Sequence, residues 1–315
     1  MASPNTTFTE LVSSTLREHP SDMADNLSKH NALYNRLKAK GKLKLIDGGH
    51  EIVRPLAHAG GTTNYQRYSG GDRLNVAAFE SITAAQFSWQ QAAVHVSATG
   101  RELRVNSGKN QIIDLAASRL KNAMRDFANQ FSVDMYSDGT ASNQIGGLGL
   151  LVTNTGADTV GGINASAHTW WKNQFYNSAF SASQLKDDMQ RLWLLCVRGG
   201  DKPDLIIAEN ATYRKYWGAL TDVQRYTRRD VTAGWGFDSL MFNTADVVNE
   251  PTGSGIAADV VYFLNTEHIE LVAHKDANMT ELEEKHSVDQ DAVVIPIIFQ
   301  GNLAVSNRSL QGKLF

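Results

Sequence analysis

The side chains best suited to chemistry in this sequence are histidines and carboxylates between residues 267 and 291. His268 and His274 are accompanied by Glu267 and Glu270, and an acidic run covers residues 281–291. Such side chains bind zinc and act as general acids and bases. However, two zinc-binding histidines on a helix lie four residues apart, whereas the spacing of six here falls on a strand-like segment. The sequence therefore predicts no metal site, and a hydrolase that uses His268, His274 and the nearby acids is retained only as an alternative.

Other patterns that would indicate catalysis or cofactor binding are incomplete. His50 and Glu51 lack a second histidine at the metalloprotease spacing, and the glycine-rich residues 145–152 lack the Gly-Lys-Ser/Thr tripeptide of a phosphate-binding loop. Cys196 lies in an apolar run, where a buried small side chain is expected and not a nucleophile. We therefore predict that the protein is not an enzyme, has no catalytic residue and binds no cofactor.

The bulk composition limits the remaining classes of function. With 315 residues, 42% of them hydrophobic, the chain is long enough for one large domain or two subdomains. A net charge of -3 argues against a dedicated nucleic-acid-binding protein, which would be basic. A local basic run at residues 29–45 contains no acid and predicts a solvated face or a flexible arm, with contact to a polyanion or an acidic neighbour as the alternative. No segment approaches the roughly 18 apolar residues of a membrane helix, so no membrane partner is predicted.

Residues 48–100 contain no helical apolar periodicity, although they lead into a strongly periodic segment. Residues 48–56 are predicted to form an extended limb, residues 59–64 a turn, and residues 65–73 a polar and aromatic return limb. Residues 82–90 and 92–99 then alternate as strands do. Long loops without a core of their own usually serve binding. We therefore interpret residues 48–73 as an arm that needs a partner surface.

A long amphipathic helix is predicted over residues 110–136. Apolar side chains recur there at steps of three and four, namely Ile113, Ala116, Leu120, Met124, Phe127, Phe131 and Met135. Such a helix is roughly 40 Å long and exceeds the average length, so it is predicted to be the spine of a domain. Gly139 follows it as a C-terminal stop.

A second subdomain is predicted from about residue 165. The aromatic patch at residues 170–176 indicates a core or an interface, and a monomeric binding module that uses this patch is a further alternative function. Ser181 and Gln184 resemble a capping box ahead of a helix that ends before Gly199. Residues 203–208 are predicted to form a buried strand and residues 211–220 a helix.

The remaining segments, at residues 260–264, 268–273, 292–299 and 303–305, are predicted strands. Pro296 lies inside one of them. Because proline cannot donate a ladder hydrogen bond, it predicts an edge position or a bulge for that strand.

The order of these elements resembles the major capsid proteins of tailed bacteriophages, which share the Hong Kong 97-type fold. The resemblance covers nearly the whole chain from about residue 47, and the short stretches that carry it are residues 81–94, 106–110, 138–140, 145–148, 160–163 and 170–171. It implies an α+β capsid fold. Its expected parts are an N-terminal arm (1–47), an extended β-hairpin loop (48–80), a peripheral domain (81–164) with the spine helix (110–136), an α/β axial domain (165–250), and a return through the axial domain to strands of the peripheral domain (251–315).

The function that the resemblance implies is structural. The chain would assemble with copies of itself into pentamers and hexamers of an icosahedral phage head around double-stranded DNA. It would belong to the virion and, during assembly, to the host cytoplasm. Expected partners are a separate scaffolding protein, a portal, decoration proteins and, without specificity, the packaged DNA. A cellular nanocompartment shell of the encapsulin kind has the same fold and remains an alternative.

The extended loop is expected to lie over a neighbouring subunit. The expected intersubunit contacts are Arg54, Tyr65, Arg67, Tyr68, Arg73, Trp170 and Trp171. Some members of this family cross-link their shells between a lysine of this loop and an asparagine of a neighbour, but no lysine occurs here between Lys44 and Lys109. Arginine cannot replace it because a guanidinium stays protonated. The sequence therefore predicts a shell without these cross-links, in which the three arginines contact acidic neighbours.

Overall fold

The computed structural model describes residues 31–58, 65–74, 80–105, 115–181, 183–220, 239–251, 253–283, 285–286 and 290–315. The helices are α1 (Ala32–Ala39), α2 (Gly100–Val105), α3 (Leu115–Asp134), α4 (Leu148–Leu151), α5 (Leu185–Cys196) and α6 (Asn210–Ala219). Short 3₁₀ turns are found at Thr169–Trp171, Thr266–His268 and Arg308–Leu310. The strands are β1 (Leu43–Ile46), β2 (Ile52–Ala57), β3 (Ile82–Phe87), β4 (Gln90–Thr99), β5 (Thr159–Val160), β6 (Ile163–Asn164), β7 (Gln174–Tyr176), β8 (Leu205–Glu209), β9 (Ser239–Phe242), β10 (Ala245–Glu250), β11 (Val261–Leu264), β12 (Ile269–Glu281), β13 (Lys285–His286), β14 (Ala292–Val305) and β15 (Gly312–Leu314).

Helix α3 packs along a five-stranded sheet in which β14 is central, with β12 and β13 on one side, β4 on the other, and β1 beyond β12. The apolar stripe of the helix explains this packing, since Phe127, Phe131 and Met135 are buried. Phe131 contacts Phe299 of β14 edge to face, with ring centroids 4.8 Å apart. The predicted helix is confirmed over Leu115–Asp134, whereas residues 110–114 lie outside the described residues. Burial does not extend along the whole stripe, because Met124 is 40% exposed.

A six-stranded sheet of order β7-β15-β11-β8-β10-β9 lies beside this layer. Its strands are apolar at successive positions because the sheet is covered on both faces. Leu205 and Ile207 of β8 join the core that contains the spine helix. Ile206 and Ala208 point the other way and join the core beneath α5 and α6. The prediction of a buried strand followed by a helix is confirmed here, and β15 lies in this sheet between β11 and β7.

The start of helix α5 differs from the prediction. The helix begins at Leu185, and Gln184 is its N-cap residue without a side-chain capping bond. Ser181 lies one turn earlier, and its carbonyl oxygen, not its hydroxyl, accepts the N–H of Leu185 at 2.9 Å. The predicted capping box at Ser181 is therefore wrong, because backbone groups of the preceding turn already satisfy the first N–H of the helix.

Pro296 lies inside the sheet, so the edge position, one of the two predicted alternatives, is wrong. The other alternative was a bulge, and the β12–β14 ladder does shift register nearby, between Asn278 and Thr280. Strand β4 pairs with β14 at this point, with His95 opposite Pro296. On the other side β12 ends at Glu281, and β13 starts only at Lys285. The carbonyl of Pro296 accepts the N–H of Leu282 at 2.9 Å. In an antiparallel ladder the N and O of one residue face the same partner, so the missing N–H of proline points at the gap between two strands.

Candidate subunit interface

Strands β2 and β3 form a two-stranded ribbon that is separate from both large sheets. Its inner face packs on the subunit through Ile52, Leu56, Ala85 and Phe87, all of them buried. The limb predicted at residues 48–56 is confirmed over residues 52–56, which belong to β2, but its strand partner is β3 and not the return limb at residues 65–73. The described part of that limb, residues 65–74, contains no strand. Residues 59–64, the predicted tip, lie outside the described residues.

Polar contacts fix the inner face of the ribbon to the body of the subunit. Arg54 forms an ion pair with Glu270 of β12, and both side chains are largely buried. At the end of β2, the His58 ring stacks on Trp170 with centroids 5.6 Å apart. The ribbon is therefore held at several points of its own chain.

A glycine turn provides the closest contact of the ribbon. Gly161 and Gly162 connect β5 to β6 with φ of 62° and 77°, as a two-residue hairpin turn with positive φ at both positions requires. The Gly161 carbonyl accepts the N–H of Gln86 at 3.0 Å. A Cβ on Gly161 would lie 2.9 Å from the Cβ of Ala85. Glycine here permits both the turn and the close approach of β3.

The outer face of the ribbon is mostly apolar and uncovered. Residues on this face alternate with the buried ones, and they are Val53, Pro55, Ala57, Ile82, Ala84 and Gln86. Val53 is 50% exposed and Ile82 is 74% exposed. Polar residues normally occupy the solvent face of a strand. This face is therefore a candidate contact surface.

Residues 65–74 carry exposed aromatic and cationic side chains. Tyr65 is 73% exposed and Tyr68 is 68% exposed, while Arg67 and Arg73 are also exposed. A tight turn shapes the segment, since the Asp72 carboxylate accepts the N–H of Ser69 at 2.7 Å. Tyrosine and arginine are enriched in the cores of protein interfaces.

A cleft of about 440 Å³ lies between the spine helix and β4, on the body of the subunit. Its apolar lining comes from Ala92, Ala93, Val94, Phe127 and Phe131, and its polar lining from Asp126, Gln130 and Asp134. Asp126 is exposed, and Asp134 accepts a hydrogen bond from the Gln144 side chain at 2.8 Å. An apolar floor beside two carboxylates is complementary to tyrosine and arginine side chains.

Three of the predicted contact residues make contacts within their own chain. Trp171 is only 1% exposed, and its Nε1–H donates to the carbonyl of Val160 at 3.0 Å. Its ring therefore fills the subunit core, and the prediction that it contacts a neighbour is corrected. Trp170 is half-buried against His58, and Arg54 has its acidic partner in the same chain. The other predicted contacts, at residues 65–73, are surface side chains.

Three side chains of the basic run at residues 29–45, those of Arg36, Lys40 and Lys42, have acidic partners inside the subunit. Arg36 pairs with Asp204 and Asp246, and Lys40 pairs with Glu267. Sequence reasoning missed this docking and the apolar outer face of the ribbon. The sequence contained a signal for each. A basic run without acids indicated that its partners lie elsewhere in the chain, and a strand with apolar residues at consecutive positions indicated two apolar faces.

The residues considered for catalysis are not brought together. His268 and His274 are six residues apart along extended backbone, about 20 Å. The His268 Nδ1 lies 3.1 Å from the Ser306 hydroxyl, and burial lowers the pKa of this histidine. Among the described residues, no group of three or more histidine, cysteine or acidic side chains could hold a metal ion. Cys196 is buried, which raises the pKa of its thiol to about 12.

The glycine-rich segment at residues 145–149 is explained by packing. A Cβ on Gly147 would lie 2.4 Å from the carbonyl oxygen of Asp134, at the end of the spine helix. The Gly146 N–H donates to the Asn302 side chain at 2.9 Å. The segment therefore joins the spine helix to β14. In the part of the chain that the structure describes, no helix has both the length and the apolar character needed to cross a membrane.

Comparison with known proteins identifies the family. The sequence profile of the SU10 major capsid protein matches residues 87–307, which is more than half of the chain. The chain belongs to the SU10 major capsid protein family. It is a major capsid protein of the tailed-phage type, and its place is the virion. No curated protein matches the chain by sequence.

Solved capsid structures share the fold over nearly the whole length. The capsid of cyanophage A-1(L) has a TM-score of 0.65 at 16% identity, with 98% of each chain covered. The capsid of the native GTA particle has a TM-score of 0.61 at 10% identity, with 99% of each chain covered. The SrpI encapsulin of Synechococcus elongatus PCC 7942 has a TM-score of 0.59 at 8% identity, with 93% of this chain and 91% of that one covered. The predicted α+β capsid fold of the Hong Kong 97 type is thereby confirmed.

Proposed function

We propose that this capsid subunit assembles into hexamers and pentamers of an icosahedral head that encloses double-stranded DNA, without lysine–asparagine cross-links. The observation that carries the proposal is the uncovered outer face of the β2–β3 ribbon, centred on Val53 and Ile82. Contiguous exposed apolar surface of this kind marks an interaction site. In a self-assembling shell the occupant is another copy of the subunit.

The cleft beside the spine helix is the surface that we propose for the neighbouring loop. Residues 65–74 carry exposed tyrosines together with Arg67 and Arg73. The cleft provides buried phenylalanines and the carboxylates of Asp126 and Asp134. Aromatic rings would cover the apolar floor, and guanidinium groups would pair with the carboxylates. Each contact contributes little binding energy by itself, but in a ring with closed symmetry it is repeated at every boundary between subunits.

A charge swap tests this pairing. Arg67→Asp or Asp126→Arg alone places like charges together and should abolish closed particles in electron micrographs. The double variant restores opposite charges and should recover particles. Both residues are exposed in the subunit, so the free subunits should keep the wild-type melting temperature. Particles from both single variants at wild-type yield would contradict the proposed pairing.

The apolar face is tested at Ile82. Ile82→Asp introduces a desolvated charge into the proposed interface and should leave free subunits in sedimentation velocity experiments. Ile82→Val keeps the apolar contact and serves as the matched control. The side chain is 74% exposed in the subunit, so neither variant should alter its folding. Normal shells from Ile82→Asp would show that the ribbon face is not a contact.

The absence of cross-links is proposed from the sequence, because no lysine occurs between Lys44 and Lys109. Mature particles should therefore release monomers on a denaturing gel. A ladder of covalent oligomers would contradict this.

The contents of the particle distinguish a phage head from a nanocompartment. We propose packaged double-stranded DNA, with a scaffolding protein, a portal and decoration proteins as assembly partners in the host cytoplasm. The match to a capsid family over residues 87–307 supports this, whereas the encapsulin similarity reflects the shared fold. Purified native particles should contain nuclease-protected DNA. A protein cargo without nucleic acid would support the nanocompartment instead.

A further inference from the structure

Helix α1 lies against carboxylates of the six-stranded sheet and of the turn that precedes β12. The guanidinium of Arg36 lies 3.0 Å from Asp204 and 3.4 Å from Asp246. Lys40 lies 2.9 Å and Lys42 3.1 Å from Glu267. Along most of its length, the N-terminal segment is therefore attached by matched charges.

The first turn of the same helix meets a carboxylate that is held differently. Glu250, at the end of β10, is 0% exposed. Its Oε1 accepts the N–H of Ala32 at 2.5 Å and the hydroxyl of Tyr136 at 2.7 Å. Its Oε2 is buried without a hydrogen-bond partner. Among the described residues, no ion pair to Glu250 is found.

The surroundings of Glu250 offer little to neutralise it. The titratable and charged groups nearby are Arg36 on α1, Tyr136 after the spine helix, Glu209 on β8 directly opposite Glu250, Asp246 on β10, Tyr262 on β11 and, over the Tyr262 ring, Lys313 on β15. Arg36 is already shared by two carboxylates. The cluster therefore contains a carboxyl group whose charged form is poorly compensated.

Asn31 completes the contact between this segment and the spine helix. Its side-chain amide donates to the Ser132 hydroxyl at 2.8 Å, and its Oδ1 accepts the N–H of Tyr34 as the cap of α1. The first residues of α1 thus touch the spine helix and Glu250 at one place. Displacing them would open Glu250 to water.

We propose that Glu250 is a proton-controlled latch for the N-terminal segment, residues 31–39. The neutral carboxyl holds α1 against the spine helix and the six-stranded sheet, and the ionised carboxylate favours its release. This inference concerns the subunit itself and does not depend on the proposed shell contacts.

The direction of the pH dependence follows from burial. Desolvation raises the pKa of Glu250 from its ordinary 4.5 to about 7, although the bonds from Tyr136 and Ala32 act in the opposite direction. A carboxyl whose pKa is higher in the docked state stabilises docking fully below its ordinary pKa. That stabilisation is lost as the pH rises towards 7. Above about pH 7 both states are ionised, and no further change follows.

Hydrogen exchange of the full-length protein tests the latch. Protection of the α1 amides, corrected for intrinsic exchange, should fall by about one to two orders of magnitude between pH 5 and pH 7 and then level off. Glu250→Gln keeps the shape and the acceptor but not the titration, so protection should stay high and flat. Glu209→Gln removes the carboxylate directly opposite and should leave the wild-type profile.

Tyr136→Phe provides a second test that does not depend on the folding of Glu250→Gln. The substitution removes the hydroxyl whose hydrogen bond lowers the pKa of Glu250, so this pKa should rise. The fall in protection should therefore continue to higher pH than in the wild type. A flat wild-type profile, a wild-type fall in Glu250→Gln, loss of the fall in Glu209→Gln, or an unchanged profile in Tyr136→Phe would overturn the proposal.

Discussion

The six-stranded sheet and the β2–β3 ribbon are both largely apolar on two faces, but only the sheet has both faces covered by its own chain. In the sheet, Ile206 and Ile207 point to opposite sides, and each is fully buried. In the ribbon, Ile52 is buried while its neighbour Val53 is 50% exposed. The same pattern of apolar residues at successive strand positions therefore gives a core covered on both sides in the sheet, but leaves one face exposed in the ribbon. This difference is the basis for our proposal that a second subunit covers the outer face of the ribbon.

The largest effect on the free energy of unfolding is expected in the six-stranded sheet, where both faces are covered. Phe263→Ala removes a ring that is 0% exposed and should lower the free energy of unfolding by about 3–5 kcal/mol. Ile82→Ala, on the ribbon, should change it by less than about 0.5 kcal/mol in the free subunit. Urea denaturation of unassembled protein measures both. A similar loss from the two variants would remove the distinction between the regions.

A smaller effect on stability is expected where the β2–β3 ribbon contacts the turn at Gly161 and Gly162. Gly161→Ala adds a methyl group against Ala85 at a positive φ, so it should cost about 1–2 kcal/mol for the backbone and more for the clash. Gly162→Ala is the matched control, because it has the same type of φ and only one atom within 4 Å, at 3.9 Å. In thermal unfolding, the melting temperature of Gly161→Ala should be lower than that of Gly162→Ala. Equal melting temperatures would mean that the contact with β3 does not hold the ribbon.

The smallest effect is expected at the ion pair under the ribbon. Arg54→Met and Glu270→Gln, measured singly and together in a double-mutant cycle, should show a coupling of about 0.5–1 kcal/mol. The pair is partly buried, which limits screening, so the coupling should persist in 0.5 M salt. A coupling near zero would leave apolar packing and the Gly161 hydrogen bond as the attachment of the ribbon.

Local patterns predicted the elements that a chain forms with its near neighbours in sequence. The stripe at Phe127, Phe131 and Met135 identified the spine helix, and the apolar run at residues 203–208 identified β8, because burial there follows directly from periodicity. The partner of β2 was not predictable in this way. Residues 65–73 and 82–87 are both plausible return segments, and only the inward fit of Ala85 and Phe87 selects the second.

Ion pairs between residues that are distant in sequence could not be predicted from local patterns either. The basic run at residues 29–45 is adjacent in sequence to no acid, yet Asp204, Asp246 and Glu267 lie beneath it in the fold. Likewise, Arg54 was expected to reach a neighbour, but Glu270 is 216 positions later in its own chain. Trp171 looked like part of a surface patch, and its buried ring shows that aromatic density does not distinguish a core from an interface.

The position of β15 constrains the order in which the six-stranded sheet can form. Residues 312–314 insert between β11 and β7, so the sheet remains divided until the ribosome has produced this strand. A nascent chain is therefore unable to close the layer on which α5 and α6 rest.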